Sequence, residues 1–332
     1  MKERNYFCAA NTGDGFVNLF NNILPSNKRT FRYVIKGGSG TGKSTFMRKI
    51  AEHFKDKIES IEYFYCSSDS SSLDAIHLVN ENICFVDGTS PHVVDASIPM
   101  VADKIVNVGE FIGDGVFSDA DKITDIISRK KRIYANLYSY IACCKNLYEI
   151  IKNNGSAKSE REKREYYLKE ISACRGDCAS ERGLFINCVD ENGFTDFVEK
   201  NKYKSVKKIR LNSYDFCVFT QQARKKLLET GNAVTVFYNV YNPSDIFAIL
   251  IDGSDELILR DYAYLDENDD LLKELTLKAG LELKKAKAEH KKLEEAYIKR
   301  MNFDGLNGLY EQTVVDVERR IKRLKSANKL KK

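Results

Sequence analysis

The segment YVIKGGSGTGKSTFMRKI, from Tyr33 to Ile50, places a cluster of glycines between a short apolar run and a helical pattern. Gly37, four further residues and then Gly42-Lys43-Ser44 have the spacing of a loop that wraps a phosphate group. The β-branched residues before the loop predict a buried strand of a parallel sheet. The apolar residues after it recur at steps of three and four, which predicts an amphipathic helix. A strand, a glycine loop and a helix in this order indicate an α/β fold with a phosphate site at the end of a strand.

The glycine loop, residues 37–45, is the predicted binding site. Glycine lets consecutive backbone N–H groups turn toward a phosphate, and the N-terminus of the next helix adds partial positive charge. Lys43 is expected to reach the β- and γ-phosphates of a nucleotide, and the Ser44 hydroxyl is expected to ligate Mg²⁺. The predicted nucleotide-binding residues are Gly37, Gly38, Ser39, Gly40, Thr41, Gly42, Lys43, Ser44 and Thr45.

Acidic residues follow the next predicted strands. An apolar run over residues 83–86 ends at Asp87, which is where related sites present a second carboxylate to magnesium. Another predicted strand runs into Asp69, and Asp74 lies close behind it. Ligands of open parallel sheets bind at the carboxyl ends of the strands, so Asp69 and Asp87 should face the phosphates. We therefore predict Lys43, Asp87 and Asp69 as catalytic residues, with Ser44 and Asp87 as metal ligands.

The residue after Asp87 limits which side chain can act as the general base. Many ATP-hydrolysing enzymes have a glutamate there that polarises water, whereas this chain has Gly88. A general base must then come from elsewhere, and it needs only to lie within hydrogen-bonding reach, directly or through water. By position the candidates are Asp69, Asp74 and His92, and His92 joins the predicted catalytic residues.

The chain lacks the motifs of two large nucleotide-binding classes. It has neither an Asn-Lys-x-Asp guanine-reading motif nor an Asp-x-x-Gly switch at Asp87. A Leu-Ser-Gly-Gly-Gln transporter signature is also missing from the sequence. By elimination, we expect the ligand to be ATP with Mg²⁺.

Composition is compatible with two ordinary domains in 332 residues. No apolar run approaches the roughly 18–20 residues of a membrane span. No apolar signal segment follows Met1, so we expect a cytoplasmic protein with its nine cysteines reduced.

Cys174, Cys178 and Cys188 could be three zinc ligands, but no second pair completes a zinc set. Basic clusters at 129–132 and 319–325 are interpreted as solvated helix faces in preference to a nucleic-acid surface.

The two halves of the chain resemble each other. Residues 6–20 reappear at 184–198, and residues 80–87 are paralleled by residues 254–261, which pairs Asp87 with Asp261. The glycine loop has no counterpart, because residues 208–220 contain no glycine. A backbone without glycine wraps a phosphate poorly, so we expect one competent site and one degenerate half.

These observations predict a fold class and a domain division. The fold is an α/β P-loop NTPase sheet with flanking helices, built as a tandem repeat with a degenerate second half and helical hairpin insertions. The P-loop NTPase domain is expected over 1–178 with a helical hairpin at 119–175. The degenerate repeat is expected over 179–332 with a C-terminal helical region at 269–330.

Several stretches together resemble an uncharacterised family of bacterial tandem-repeat P-loop ATPases. They are residues 7–20, the loop 37–45, Cys66-Ser67-Ser68-Asp69, Asp87-Gly88-Thr89-Ser90-Pro91-His92 and a late set between Ala286 and Phe303 that includes Lys287, His290, Glu294 and Tyr297. The resemblance covers nearly the whole chain and implies nucleotide binding and hydrolysis without naming a substrate. Members of that family carry a phosphate loop in each repeat, and this chain departs from them in its second half.

Three functions are compatible with the sequence. The first is an ATPase whose second half caps the site and supplies an arginine such as Arg210 or Arg224. The second is a kinase that transfers phosphoryl to a small-molecule acceptor near Asp69 and Asp74. The third is a nucleotide-sensing module with little turnover, whose helical tail binds a protein partner. We rank them in that order.

Overall fold

The computed structural model describes residues 1–23, 30–90, 93–157, 159–171, 174–261 and 269–329. The first half contains β1 (Lys2–Tyr6), β2 (Ala9–Thr12), β3 (Gly15–Asn18), β4 (Phe31–Lys36), α1 (Lys43–Phe54), β5 (Ser60–Cys66), β6 (Asp69–Leu78), β7 (Ile83–Asp87), β8 (Asp103–Asn107), α2 (Ala120–Ser156) and α3 (Arg161–Ile171). The second half contains β9 (Ser180–Leu184), β10 (Asn187–Asp190), β11 (Gly193–Asp196), β12 (Ser205–Ile209), α4 (Ser213–Glu229), β13 (Ala233–Tyr238), β14 (Ile246–Ile251), β15 (Glu256–Arg260), α5 (Asp269–Ile298) and α6 (Phe303–Lys329). The chain is therefore a mixed α/β protein, as the sequence predicted.

Each half is built on one mixed sheet. The first has the strand order β1-β5-β6-β7-β4-β8, in which β6 alone runs antiparallel to its neighbours. The second has the order β12-β15-β14-β13-β9, in which β14 alone runs antiparallel. Read in the same direction, β9-β13-β14-β15-β12 reproduces β1-β5-β6-β7-β4. The matching strand order supports the internal repeat found in the sequence, and only β8 lacks a counterpart among the described strands.

The halves meet through equivalent residues. The N–H of Phe7 donates to the carbonyl of Phe185 at 2.9 Å, and the N–H of Phe185 donates back to the carbonyl of Phe7 at 3.0 Å. These two phenylalanines occupy the same position in the two copies of the repeat. A contact in which equivalent residues pair reciprocally is the property of a two-fold relation. The two halves are thus arranged like the subunits of a small symmetric dimer.

The long helices cross between the halves. On α2 and α5, Arg129 bonds Glu289 near one end of the helix pair, and Cys144 contacts Thr276 further along it. Because the residue number rises on one helix as it falls on the other, the two helices are antiparallel. At 37 residues, α2 is roughly 55 Å long, which is enough to reach from one half to the other.

This crossing corrects the predicted helical hairpins. Helices do form within 119–175 and 269–330, but α2 packs along α5, and α3 packs on α4 of the second half. Helix α6, placed by sequence in the second half, packs on α1 and the first sheet. The apolar stripes that indicated helices carry no information about which partner covers them. Each half therefore receives its last helix from the other half.

Alternate residues of the central strands enter different cores. In β7, Cys84 and Val86 join a core shared by both halves, while Ile83 and Phe85 join the core beneath α1 and α6. The second sheet has a corresponding outer core beneath α3 and α4. Burial on both faces explains why these strands are continuous apolar runs.

None of the helices in the described ranges is long and apolar enough to cross a membrane.

Candidate functional site

The glycine loop joins β4 to α1, as predicted. Gly40 and Gly42 have φ values of +71° and +85°, a region that side chains with a Cβ rarely adopt. A Cβ at Gly37 would lie 2.6 Å from the side chain of Val108, so this position also has no room for one. The loop conformation therefore depends on its glycines, and α1 begins at Lys43, so the last three of residues 37–45 form its first turn.

Lys43 and Asp87 come together at this loop. The Lys43 ammonium donates to the carbonyls of Gly37 and Gly38 at 3.0 and 2.8 Å, and it lies 3.6 Å from Asp87 Oδ2. The other Asp87 oxygen accepts the N–H of Thr89 at 2.8 Å. The Thr89 hydroxyl in turn donates to the Gly37 carbonyl at 2.7 Å. Thr89 thus links the end of β7 to the loop, a role that no sequence motif predicted.

Ser44 contacts the backbone of β6. Its Oγ accepts the N–H of Leu73 on β6 at 3.0 Å. A hydroxyl oxygen has two lone pairs and one proton, so this bond leaves Ser44 able to bind a cation. The donor set of one hydroxyl and one carboxylate beside the glycine loop fits Mg²⁺, which usually keeps waters and substrate phosphates as its other ligands.

The two other predicted acids, Asp74 and Asp69, have pKa values shifted in opposite directions. Asp74 is buried, and burial together with the nearby charge of Asp87 raises its pKa well above the ordinary value, which favours the protonated acid. Burial acts in the same direction on Asp69, but hydrogen bonds from Ser71 and Lys287 outweigh it and lower the pKa. Asp69 is therefore an ionised carboxylate, and its Oδ1 lies 3.1 Å from the Lys287 ammonium. His92 lies outside the described residues.

The C-terminal helices cover the loop. A Cβ at Gly40 would lie 2.7 Å from the backbone oxygen of Glu294, and the ring of Tyr297 lies beside Gly38. At the start of α6, the side chain of Leu306 lies beside Gly42. The glycine loop is thus enclosed by helices that arrive from the far end of the chain.

Three charged or titratable side chains of α2 and α5 gather above this loop. Lys130 Nζ lies 2.8 Å from His290 Nδ1, and His290 Nε2 lies 3.5 Å from Glu294 Oε1. Burial and the adjacent Lys130 ammonium lower the pKa of His290 to about 4, so its ring is neutral at pH 7. Burial and the charge of Asp69 raise the pKa of Glu294, which also interacts electrostatically with Lys43.

No sequence motif predicted a role for Lys130, Lys287, His290 or Glu294. Lys287, His290 and Glu294 belong to the stretch between Ala286 and Phe303 that resembles the tandem-repeat family, and this resemblance was the only sequence evidence that singled them out. No local motif could place them at the loop, because the crossing of α5 from the second half brings them there.

The second half has a different turn at the equivalent place. Only residues 210–212 separate β12 from α4, whereas six residues separate β4 from α1. The helix is capped instead by Asn212, whose side chain accepts the N–H of Asp215 at 2.9 Å. The second half thus has no glycine loop at this place, while the competence of the first site stays a prediction.

Strand register corrects the residue paired with Asp87. Ile35 lies opposite Asp87, and its counterpart Ile209 lies opposite Arg260. Gly88 donates its N–H to Ile35, and Asp261 donates its N–H to Ile209 in the same way. Asp261 therefore corresponds to Gly88, and Arg260 occupies the place of Asp87.

The arginines proposed to complete the site bind acids of their own half. Arg210 pairs with Asp261 at 2.9 Å, and Arg224 forms two hydrogen bonds with Glu181. In the basic cluster 129–132, Arg129 pairs with Glu289 and Lys130 contacts His290. This cluster is therefore partly directed at α5 and does not form one solvated face.

The three cysteines considered for zinc are differently placed. Cys188 is buried, Cys178 is exposed and Cys174 is half-buried. Within the described ranges, no group of three or more His, Cys, Asp or Glu side chains is arranged to hold a metal ion.

We predict that Gly40→Ala destabilises the protein by about 1–3 kcal/mol, because alanine at φ +71° is strained and its Cβ meets the backbone of Glu294. The matched control is Gly38→Ala, whose Cβ would make ordinary contacts of 3.7 Å and whose effect should stay within about 1 kcal/mol. The measurement is the free energy of unfolding from denaturant titration. Equal effects of the two variants would contradict both the positive φ of Gly40 and its close contact with α5.

One family model matches part of the chain. Residues 12–86, which include the glycine loop and end just before Asp87, match the model described as Nephrocystin 3, N-terminal. The match covers less than a quarter of the 332 residues. No curated protein and no solved structure matches the chain. The resemblance to bacterial tandem-repeat P-loop ATPases accordingly stays a prediction, and the chain is similar over residues 12–86 to the Nephrocystin 3 N-terminal model.

Proposed function

We propose that the protein binds ATP with Mg²⁺ at residues 37–45 and hydrolyses it. The observation that carries this proposal is the six-residue turn between a parallel strand and a helix, with two glycines at positive φ and Lys43 beside Asp87. Backbone N–H groups and a helix N-terminus in this geometry favour an anion. Lys43 would move from the loop carbonyls to the phosphates, and Ser44 and Asp87 would hold the metal ion, which neutralises charge on the phosphate oxygens.

The general base is proposed to be Glu294. Gly88 stands where many ATPases have a glutamate, Asp74 is buried with a raised pKa, and Asp69 is bound to Lys287. Glu294 is half-buried, its pKa is raised, and it interacts electrostatically with Lys43. A carboxylate with a raised pKa is a better proton acceptor at neutral pH.

The proposed step is direct attack of water on the γ-phosphorus of ATP. The water oxygen forms the new P–O bond, the bond from the γ-phosphorus to the bridging oxygen of ADP breaks, and Glu294 accepts the proton of the water. Lys43 would stabilise the negative charge that shifts to the leaving oxygen, and a Mg²⁺ ion held by Ser44 and Asp87 would supply further positive charge there. The products are ADP and inorganic phosphate.

We predict that Glu294→Gln lowers the rate of ADP release by at least about tenfold while leaving ATP affinity within about threefold of wild type, because a lost general base affects the chemical step. Its matched control is Glu295→Gln, an exposed residue next to it on α5, which should turn over like wild type. Asp87→Asn should also lower turnover, together with the dependence of binding on Mg²⁺.

The same assay, repeated with a panel of small-molecule hydroxyl acceptors, separates the three functions. Steady ADP release without an acceptor supports the ATPase. Release that begins only with an acceptor would mean a kinase, and Asp69 would then be the residue to change. Binding without turnover under every condition would leave the nucleotide-sensing module.

A further inference from the structure

The second half contains a cavity of about 200 Å³. It lies among the start of α4, the end of β15 and the ends of α2 and α5 that are remote from the glycine loop. Eight of its described lining residues are aromatic or aliphatic: Tyr148, Ile151, Phe194, Phe216, Tyr241, Ile246, Phe247 and Leu272. Protein interiors contain few voids larger than a water molecule, so an apolar cavity of this size is a candidate binding site.

The cavity lies at the counterpart of the glycine-loop site. Ser213 is the first residue of α4, as Lys43 is the first residue of α1, and Arg260 stands where Asp87 stands in the first half. The second half thus keeps a concave place at the ends of its strands, where open α/β sheets bind ligands. Because the glycines that would wrap a phosphate are absent there, a ligand of this cavity belongs to another chemical class.

The two charged lining residues are already engaged by the protein. Arg260 donates to the Leu211 carbonyl at 3.0 Å and to the Ser213 hydroxyl at 2.8 Å. Lys273 pairs with Asp270 at 3.2 Å. A charged ligand would therefore lose its hydration without gaining a matching charge, which disfavours it.

The uncharged polar lining groups are bonded within the protein as well. The Tyr241 hydroxyl lies 2.9 Å from the Thr276 hydroxyl, and the Tyr148 hydroxyl lies 3.5 Å from the Cys217 sulfur. The side-chain oxygen of Asn239 accepts the N–H of Tyr241 at 2.8 Å. A buried water needs several polar partners, whereas an apolar molecule needs none, so the lining favours an apolar occupant.

The size of the cavity and the arrangement of its rings limit that occupant. A cavity of roughly 150 Å³ lined by apolar side chains is large enough to bind benzene, so the volume here suits one aromatic ring or a fused pair. The ring centroid of Phe194 lies 5.9 Å from that of Phe247 and 6.0 Å from that of Tyr241. The centroids of Tyr148 and Tyr241 are 6.2 Å apart. Rings at these separations present edges and faces to a further planar ring.

Phe194 marks the entrance to the cavity. Its side chain is 37% exposed, whereas Phe216, Tyr241, Phe247 and Leu272 are at most 9% exposed. The walls are thus held in the core while one aromatic side chain faces solvent, so a small molecule can enter there without opening the core.

We propose that this cavity binds a neutral aromatic molecule of one ring or two fused rings, held by the aromatic and aliphatic side chains without a charge contact. The proposal does not depend on nucleotide binding in the first half.

Fluorescence titration with indole tests the proposal. The chain contains no tryptophan, so the emission of indole can be followed without a tryptophan background. Indole is added to the full wild-type chain, with benzene as a neutral competitor and indole-3-carboxylate as the charged analogue. We expect a saturable blue shift of the indole emission with a dissociation constant of roughly 1 mM or lower, and competition by benzene. Indole-3-carboxylate should bind roughly tenfold more weakly, because its carboxylate would be desolvated without a partner.

Two lining variants and one control locate the binding. Phe194→Ala removes an aromatic wall, and Leu272→Phe adds a ring that occupies the space of the ligand, so each should weaken indole binding roughly tenfold. Phe16→Ala changes the equivalent hairpin residue of the first half and should leave indole affinity as in wild type. Far-ultraviolet circular dichroism checks that each variant is folded. Because one variant removes volume and the other adds it, either one that folds decides the location.

Each contrary result overturns the proposal. Absence of saturable indole binding to folded wild type at millimolar concentration removes the site. Indole binding that a folded Phe194→Ala or Leu272→Phe variant leaves unchanged places the probe elsewhere. Equal or tighter binding of indole-3-carboxylate would mean that the site is not selective for neutral molecules.

Discussion

Replacing Lys43 by alanine should weaken ATP binding by roughly a hundredfold and abolish measurable hydrolysis. A hydrogen bond to a charged group contributes about 1.5–3 kcal/mol. Lys43 is the first residue of α1, next to the glycines of the loop, and its ammonium is expected to bind the phosphates. In the protein without ATP its ammonium donates to the carbonyls of Gly37 and Gly38 and lies 3.6 Å from Asp87 Oδ2, so the variant also removes the partner of a largely buried carboxylate. Its free energy of unfolding should therefore fall by about 1–3 kcal/mol, so ATP binding is compared at a temperature where circular dichroism shows the variant to be folded.

The measurement is isothermal titration with ATP and Mg²⁺, alongside ADP release. The control is Lys49→Ala, which removes an exposed lysine from the same helix, where it bonds Asn307 and lies over Tyr310. Lys49→Ala should bind and hydrolyse ATP like wild type. If Lys43→Ala bound ATP as tightly as Lys49→Ala, residues 37–45 would not be the nucleotide site.

The residues of the glycine-loop site could be predicted because each of its elements depends on residues that are near in sequence. Glycine spacing, an apolar run that ends in Asp87 and the start of a helix at Lys43 are each determined by neighbouring residues. The structure brings Lys43, Ser44 and Asp87 to one loop because the carboxyl ends of adjacent parallel strands share one edge of a sheet.

The covering helices were not predictable in the same way. The apolar stripe of α5 indicated a helix, and the family resemblance drew attention to His290 and Glu294. Neither signal showed that α5 would cross to the first half, since an amphipathic stripe packs equally well on any apolar partner. The contact of Gly40 with Glu294 depends on an approximate two-fold relation between the halves, which is a property of the whole chain.

The pairing of Asp87 with Asp261 failed for a related reason. Both are acids after apolar runs, so similarity of residue type favoured that alignment. Hydrogen-bond register placed Arg260 opposite Ile209 and shifted the comparison by one residue. In a strand, a shift of one residue moves every side chain to the other face. The alignment of the two halves at this point therefore required the observed hydrogen bonds between the strands.

The largest stability effect is expected where the halves join. Glu62 on β5 accepts two hydrogen bonds from Arg182 on β9 at 2.5 and 3.0 Å, and its Oε2 lies 2.9 Å from His77 Nδ1. Glu62 and His77 are buried, and only 14% of the Arg182 side chain is exposed. Removing one member of a buried charge pair leaves the other without compensation, which costs about 3–5 kcal/mol.

Glu62→Gln should therefore lower the free energy of unfolding by about 3–5 kcal/mol, measured by denaturant titration at pH 7. The chain offers a matched control in the residue next to Arg182. Glu181→Gln breaks a second Arg–Glu pair, in which Arg224 donates two hydrogen bonds to Glu181. The side chain of Glu181 is 23% exposed and that of Arg224 is 41% exposed. Because water screens that pair, its loss should cost less than about 1 kcal/mol.

The pH dependence gives an independent check of the same pair. Burial opposes ionisation of Glu62, but Arg182 and His77 outweigh it and lower its pKa below the ordinary value of 4.5. A lowered pKa in the folded state means that the unfolded chain binds the proton more readily, so the stabilisation is present above about pH 4.5 and is lost as the pH falls below it. The stability difference between wild type and Glu62→Gln should therefore be constant near neutral pH and shrink below pH 4.5.

A double variant separates the charge pair from simple packing. Glu62→Met with Arg182→Met removes both charges and keeps apolar volume, so it should be more stable than Glu62→Gln, because no uncompensated guanidinium remains buried. If Glu62→Gln cost no more than Glu181→Gln, the pair would be solvated and would not link the two sheets. If the double variant were as unstable as Glu62→Gln, the loss would arise from disturbed packing between β5 and β9, and the buried charge would not be its cause.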